Sequence, residues 1–339
     1  MTNFFSTYGL FLAEGLTIVI AILATFGGLI AIASKNKLKP KEKIEITKLN
    51  QKYQEMKELV NNETLEKWEL KKIRKKEKQT VAAQKKLDKN SPSTKLRLFV
   101  LKFDGDLKAS AVENLREEIT AILTVATPKD EVLIKIESTG GVIHGYGLAA
   151  SQLKRIRDRK IPLIAAVDKV AASGGYMMAC VADRILAAPF AIIGSIGVIA
   201  QLPNFHRLLK KHDIDFEQVM AGQYKRTLSL FGENTKEGRS KLQQEVEEAH
   251  LLFKDFIIAN RPTVDIDLLA TGETWYGTKA KEMRLIDDII TSDDYLLAAN
   301  DKANIFKVKY TIKKSLTERF GISIQKTISR IINLTSSGV

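Results

Sequence analysis

The chain has one cysteine and four histidines in 339 residues. A lone thiol, Cys180, can close no internal disulfide; set in an apolar stretch, it reads as a small core residue. No His/Cys group stands at metal-ligand spacing, and no Walker A phosphate loop is present. The expectation is an activity without metal, nucleotide or other cofactor. Charge is lacking too, locally. The first 34 residues carry only Glu14, and Gly15 to Ser34 carry none. Twenty uncharged residues match the thickness of a hydrocarbon core. The rival reading is a cleaved signal peptide with Ala31-Ile32-Ala33 as its cleavage box. It wants a basic residue before a shorter apolar run, whereas here five lysines, Lys35 to Lys43, come after the run. Residues 1–34 therefore read as an N-terminal segment with an uncleaved anchor over 15–34, and the lysines favour a cytoplasmic side for the rest of the chain.

The net charge of +13 is unevenly placed. Lys35 to Asn90 hold 18 Lys/Arg against 9 Asp/Glu, and Lys307 to the C-terminus holds 7 against 1, which leaves the middle of the chain close to neutral. A nucleic-acid enzyme carries its basic surface on the folded domain. Basic flanks beside an apolar span fit an anionic membrane surface instead, so a membrane partner is expected and nucleic acid is not.

Residues 35–90 read as a charged helical connector. Leu49, Tyr53, Met56 and Val60 fall at helical spacing, as a short coiled-coil seam or as one face of a solvated helix. Asn90-Ser91-Pro92-Ser93 marks a boundary. From 91 to 312 strand and helix patterns alternate, the mark of an α/β domain. Strands are expected at Leu96–Phe103, Glu131–Glu137, Pro162–Asp168, Arg184–Ala188, Ile192–Ile199, Asp215–Met220, Ile286–Ile290 and Phe306–Ile312. Helices are expected at Ala109–Val125, His144–Arg157, Asn204–Lys211 and across Thr235–Asn260. Ile185–Leu202 is apolar enough to suggest a second span, but Pro189, Gly194 and Gly197 interrupt it, and buried strands read the same way. The basic tail, 313–339, has Ile324, Ile328, Ile331 and Ile332 on one helical face, suited to a membrane surface, a partner or its own domain.

Ser173 stands out within Ala171-Ala172-Ser173-Gly174-Gly175-Tyr176. An apolar strand pattern precedes it and a helix pattern comes after it, so the hydroxyl sits at a helix N-terminus, where backbone N–H groups are free. Adjacent glycines let another chain approach. A helix N-cap serine explains the same pattern; a nucleophile beside oxyanion donors is the sharper reading. None of the histidines has a local signature as its base. A lysine can serve if burial strips its charge, and Lys225, in Gly222-Gln223-Tyr224-Lys225 after an expected strand, is a candidate.

Residues from about 97 to 290 resemble the signal peptide peptidase A family of membrane-anchored serine peptidases, in particular its SohB branch. The resemblance rests on Glu137-Ser138-Thr139-Gly140-Gly141, Tyr146 to Gln152, Val170 to Tyr176, Gly194-Ser195-Ile196-Gly197-Val198, Gly222 to Lys225 and Ala270 to Gly277. It implies a Clp/crotonase-like fold and a Ser–Lys dyad, with Ser173 as nucleophile and Lys225 as base. It also implies oxyanion donors at Gly140 and Gly174, and Ser195 holding Lys225. Where the family has Ser-Pro-Gly-Gly, this chain has Thr139, which frees φ and adds a donor. The resemblance further implies peptide or signal-peptide-remnant substrates, rings of subunits and a bacterial inner-membrane location. For the catalytic domain it favours the periplasmic side, against the charge bias. A crotonase-type acyl-CoA enzyme and a non-catalytic membrane-tethered scaffold are the rival readings.

Overall fold

Four continuous apolar runs fix the architecture. The structure, a computed structural model, describes residues 8–22, 25, 41–90 and 96–313. Strands β2 (Leu96–Asp104), β3 (Glu131–Glu137), β4 (Leu163–Val167) and β6 (Arg184–Ala187) lie side by side and parallel. All five residues of β4 are buried. Strands covered on both faces need no polar alternation, which is why these read as mainly hydrophobic stretches, unbroken in β4. With β1 (Lys41–Lys48), β9 (Asp288–Ile289) and β10 (Ala303–Lys313) they form a seven-stranded sheet in the order β1-β10-β2-β3-β4-β6-β9.

The pleat sorts the core into two layers. Phe99, Leu101, Phe103, Ile134, Ile136 and Ala165 face helices α4 (Val112–Leu123), α5 (Ile143–Asp158) and α6 (Gly174–Ala179). Leu98, Val100, Leu133, Ile164 and Leu186 face Leu296 of α11 (Ser292–Ala299) and Leu49 of α2 (Leu49–Thr64). Helix α4 buries Leu115, Ile119 and Ile122, spaced to fall on one face. A second sheet, β5 (Val170–Ala172), β7 (Ile192–Gly194) and β8 (Thr274–Tyr276), has β5 parallel and β8 antiparallel to β7. The long α8 (Lys236–Asn260) starts at Thr235, whose hydroxyl accepts the Gly238 N–H at 3.0 Å.

Several expectations need correction. The 35–90 segment is not helical throughout: Lys41–Lys48 is a strand, in which Ile44 and Ile46 alternate with charged residues. Leu49 is buried and Tyr53 packs on the same layer, whereas Met56 and Val60 are exposed, so the four do not act as one seam within this chain. Helix α3 (Lys67–Asn90) completes the segment. Only Ile192–Gly194 of the expected Ile192–Ile199 strand forms. The expected strand Asp215–Met220 does not form; every residue in it is exposed. An extended run without a neighbouring strand satisfies its backbone only with water. It belongs to an arm, 199–226, whose one helix is α7 (His206–Lys211) and in which only His206 and Leu209 are not exposed. Residues 185–202, the rejected second span, contribute β6 and β7 to the two sheets.

The chain divides into two compact units, Ile44–Tyr310 and the two terminal stretches Met1–Lys43 with Thr311–Val339. In the latter, helix α1 covers residues 8–22, all exposed. Among the described residues no helix is long and apolar enough to cross a membrane. Most of the expected 15–34 span, and all of the tail beyond 313, lie outside the described residues.

Candidate active site

Three of the motif phrases, Val170 to Tyr176, Gly194 to Val198 and Ala270 to Gly277, meet on the small sheet. Strand β5 delivers Ser173 to the start of α6, so the nucleophile candidate sits at a strand-to-helix turn as the sequence implies. The strand feeding it is β5 and not the β4 run directly. Ser173 takes φ 53° and ψ −119°, a conformation that L-residues rarely adopt. Such strain persists only where the surroundings over-determine it, and it clusters at functional sites. Here the Ser173 N–H donates to the Gly194 carbonyl at 2.7 Å, and its own carbonyl accepts the Met177 N–H at 2.9 Å. The side chain is half-buried and does not cap its helix. That sets aside the N-cap explanation of the serine.

Ser195 stands one step beyond the β5–β7 ladder, next to Ser173, and it too has a φ of 53°. Its N–H donates to the Glu273 carbonyl at 2.6 Å. Close to Ser173 on the other side lies Gly140, at φ 91°. A methyl group on Gly140 would stand 2.7 Å from Ser173 Cβ and 2.8 Å from the Gly174 nitrogen. No side chain other than hydrogen fits there, so the Gly140 turn, Ser173 and the Gly174 N–H share one small volume.

The Gly174 N–H has no partner among the described residues. The Gly140 N–H does: it donates to Ser138 Oγ at 3.0 Å. The next donor on the turn, the Gly141 N–H, has none among the described residues. Ser138 lies under the turn, only 2% exposed, and bridges β5: its N–H donates to the Val170 carbonyl at 2.9 Å, and its carbonyl accepts from Ala172 at 3.0 Å. Ser138 and Tyr146 stand within the motif phrases, but the sequence marks no role for either, and Gly105 and Asp106 lie outside those phrases altogether. The one available signal was Asp104-Gly105-Asp106 directly after a strand, a turn composition at the carboxyl end of a parallel sheet.

Lys225 is placed differently. It is exposed, on the arm, in a turn closed by its N–H to the Gly222 carbonyl at 3.1 Å. Among the described residues no hydrogen bond joins it to Ser173 or to Ser195. Ser173, Gly140, Gly174 and Ser195 thus share one region of a single chain, while Lys225 is an exposed residue of the arm. Cys180, seven residues beyond Ser173, is fully buried, and burial pushes its thiol up to about 12, so it is inert as a nucleophile. No group of acidic, His or Cys residues among the described ones could hold a metal ion.

Comparison with known proteins fits this geometry. Peptidase family S49 N-terminal matches residues 3–153, and Peptidase family S49 matches residues 155–306. A Haemophilus influenzae protein named "Probable protease SohB" is 48% identical over 345 residues, covering 99% of this chain and 98% of its own length. The chain belongs to peptidase family S49. A Buchnera aphidicola protein of the same name, from the subspecies Acyrthosiphon pisum, is 55% identical over 240 residues, 71% of each chain. More distantly, the Arabidopsis thaliana "Serine protease SPPA, chloroplastic" is 30% identical over 200 residues, 58% of this chain and 29% of its own. The family and these names make the chain an S49 serine-type peptidase of the SohB kind, and the mixed α/β architecture around a central sheet accords with that family.

Proposed function

We propose that this S49 peptidase is a membrane-anchored endopeptidase of Clp/crotonase-like fold that works through a Ser173–Lys225 dyad. The observation that carries the reading is the φ 53°, ψ −119° turn at Ser173 beside the unengaged Gly174 N–H and the Gly140 turn. Neutral Lys225 takes the Ser173 proton as Oγ bonds to the scissile carbonyl carbon. The carbonyl oxygen, now negative, is held by the Gly174 N–H and by the Gly140–Gly141 turn. Gly140 shapes that turn, and Gly141 offers its unengaged N–H. Lys225 then gives its proton to the departing amine as the C–N bond breaks. Lys225, neutral again, takes a proton from water as the water oxygen bonds to the acyl carbon; the C–Oγ bond then breaks, the acid leaves and Lys225 returns the proton to Ser173 Oγ. Ser195, beside Ser173, orients the lysine.

A lysine serves as a base where burial strips its charge, so the dyad needs the arm to be covered. The arm supplies a reason for cover. Val219 is 100% exposed and Tyr224 51%, with Ile199 at 80%, apolar residues on the stretch that leads up to Lys225. A second copy of this chain, in a ring, is the occupant we assign. The apolar 15–34 segment with its following lysines tethers the assembly to a bacterial membrane, and the substrates are membrane-associated peptides or signal-peptide remnants.

Activity of Ser173→Ala, Lys225→Ala and their mixture tests this, with cleavage of an internally quenched apolar peptide as the readout. Each variant alone should lose at least about 10³-fold, the scale of losing a nucleophile or its base. If the covering copy supplies the lysine, mixing the two dead proteins restores part of the activity; if the lysine folds onto its own serine, mixing restores none. Wild-type cleavage by Ser173→Ala would end the proposal.

A further inference from the structure

The two halves of the oxyanion site come from different elements, the 138–141 turn after β3 and the N-terminus of α6. Something must hold them in register, and one side chain touches both. Tyr146, on α5, is fully buried, and its ring edge packs against Phe103 at 6.1 Å between centroids. A methyl group on Gly174 would meet Tyr146 Cγ at 2.3 Å, so the ring lies flush against the α6 N-terminus. At its other end the Tyr146 hydroxyl is 2.6 Å from Ser138 Oγ and donates to the Asp106 carbonyl at 2.8 Å.

A proton count fixes the direction of this chain. A carbonyl only accepts, so Tyr146 spends its one hydrogen on Asp106. Ser138 must then donate to the Tyr146 oxygen. That leaves a lone pair on Ser138 Oγ for the Gly140 N–H, which donates to it at 3.0 Å. Burial pushes the Tyr146 hydroxyl above its ordinary value, so it keeps the proton on which the sequence of bonds depends. The carboxylate of Asp106 is itself pinned, accepting the Ser110 N–H at 2.7 Å and its hydroxyl at 2.6 Å, which anchors the far end.

We propose that Tyr146 is a positioning residue for the oxyanion site: its ring seats Gly174, and its hydroxyl, through Ser138, holds the Thr139–Gly140 peptide by its N–H, the fixed end from which the next peptide and its Gly141 N–H are aimed. It touches no reacting atom. The inference rests on Ser173 being the nucleophile and goes beyond that reading.

The test is steady-state kinetics of the full-length chain on an internally quenched peptide with apolar residues around the scissile bond. Inhibition by the aldehyde of the same peptide, whose adduct carries the oxyanion, is measured alongside. Tyr146→Phe keeps the ring and cuts the hydroxyl chain. It should lower kcat about 10- to 100-fold, below the full loss of an oxyanion donor, with KM within about twofold, and the aldehyde should weaken by the same factor as kcat. Ser138→Ala cuts the same chain at its other link and should reproduce that signature, and the double variant should fall no further than either single one. Normalising each rate to the folded fraction, read independently from the thermal unfolding curve of each variant, keeps a stability loss from mimicking the result. Unchanged kcat in Tyr146→Phe overturns the inference. So does a fall in kcat without loss of aldehyde affinity, or additive losses in the double variant. Ser173→Ala separates the two levels. If it is inactive while Tyr146→Phe behaves as wild type, only the positioning role fails; if it cleaves as wild type, the site reading fails first.

Discussion

Ser173 and Lys225 belong to two physically opposite regions. Around Ser173 the backbone is over-determined: parallel ladders, a bridge from Ser138 and three close-packed glycines leave no room for a side chain to move. Around Lys225 almost nothing is buried, and apolar side chains face water. The first region is finished by the chain's own folding. The second has the composition of an interior surface and the exposure of an exterior one. An acyl-transfer site needs the rigidity of the first for its oxyanion donors and the dryness of a covered second for its base. Under the proposed dyad, it is covering the arm, not folding the core, that would complete the site.

The sharpest way to break this contrast is to put a charge on the arm. Val219 makes no buried contact in the single chain, so Val219→Asp should leave the melting temperature of the folded unit unchanged. It should weaken assembly by roughly 30-fold or more, as when a buried apolar anchor is lost. Peptidase activity should fall in step with the fraction of assembled protein seen in sedimentation velocity. Full activity in a dispersed variant would mean that the arm needs no cover.

Gly105 probes the rigid side. It comes directly after β2, and a methyl group there would stand 2.3 Å from Ser138 Oγ and 2.4 Å from the Tyr146 hydroxyl. Neither atom is the free end of a flexible chain, since both are locked in the hydrogen-bonded sequence. Gly105→Ala should cost about 1–3 kcal/mol in denaturant unfolding through overpacking, and about tenfold in kcat by disturbing the Gly140 turn. Assembly should be untouched. If Gly105→Ala disperses the protein instead, the two regions are not separable.

This contrast also accounts for what could be read from residues alone. The β2, β3, β4 and β6 runs were legible because burial on both faces makes apolar residues dominate them, with β4 apolar throughout. The Ser173 turn was legible because small residues crowd there for steric reasons that composition shows directly. Strand β1 was not, since Lys-Glu-Lys-Ile-Glu-Ile-Thr-Lys looks like solvated helix until a neighbouring strand selects its period of two. Phe216, Val219 and Met220 read as part of a strand because apolar residues usually signal burial within the same chain; here they are exposed. The Tyr146–Ser138–Gly140 chain was illegible for another reason. Its partners become neighbours only when the 105–107 loop and α5 close over the turn, a tertiary event with no local pattern. Which of the Gly140 and Gly141 N–H groups is engaged depends on that same closure.

The smallest expected effect sharpens the comparison through pH. Glu118, on α4, is buried within the rigid unit, its carboxylate accepting the Tyr310 N–H at 2.8 Å. Burial, only partly offset by that bond and by Lys309, pushes it up to about 7. Below the ordinary glutamate value, both folded and unfolded chains hold the proton. Between there and about 7 the folded chain still binds a proton that the unfolded chain has released, so stability falls as pH rises through this window and levels off above it. The full drop is on the order of 3 kcal/mol. Glu118→Gln keeps an oxygen for the Tyr310 N–H and removes the titration. Its unfolding free energy should therefore decline less than that of wild type between pH 5 and pH 8, and the two should converge at the acid end. Parallel profiles would show that water reaches Glu118, and that the unit around Ser173 is less dry at its α4 edge than its packing implies.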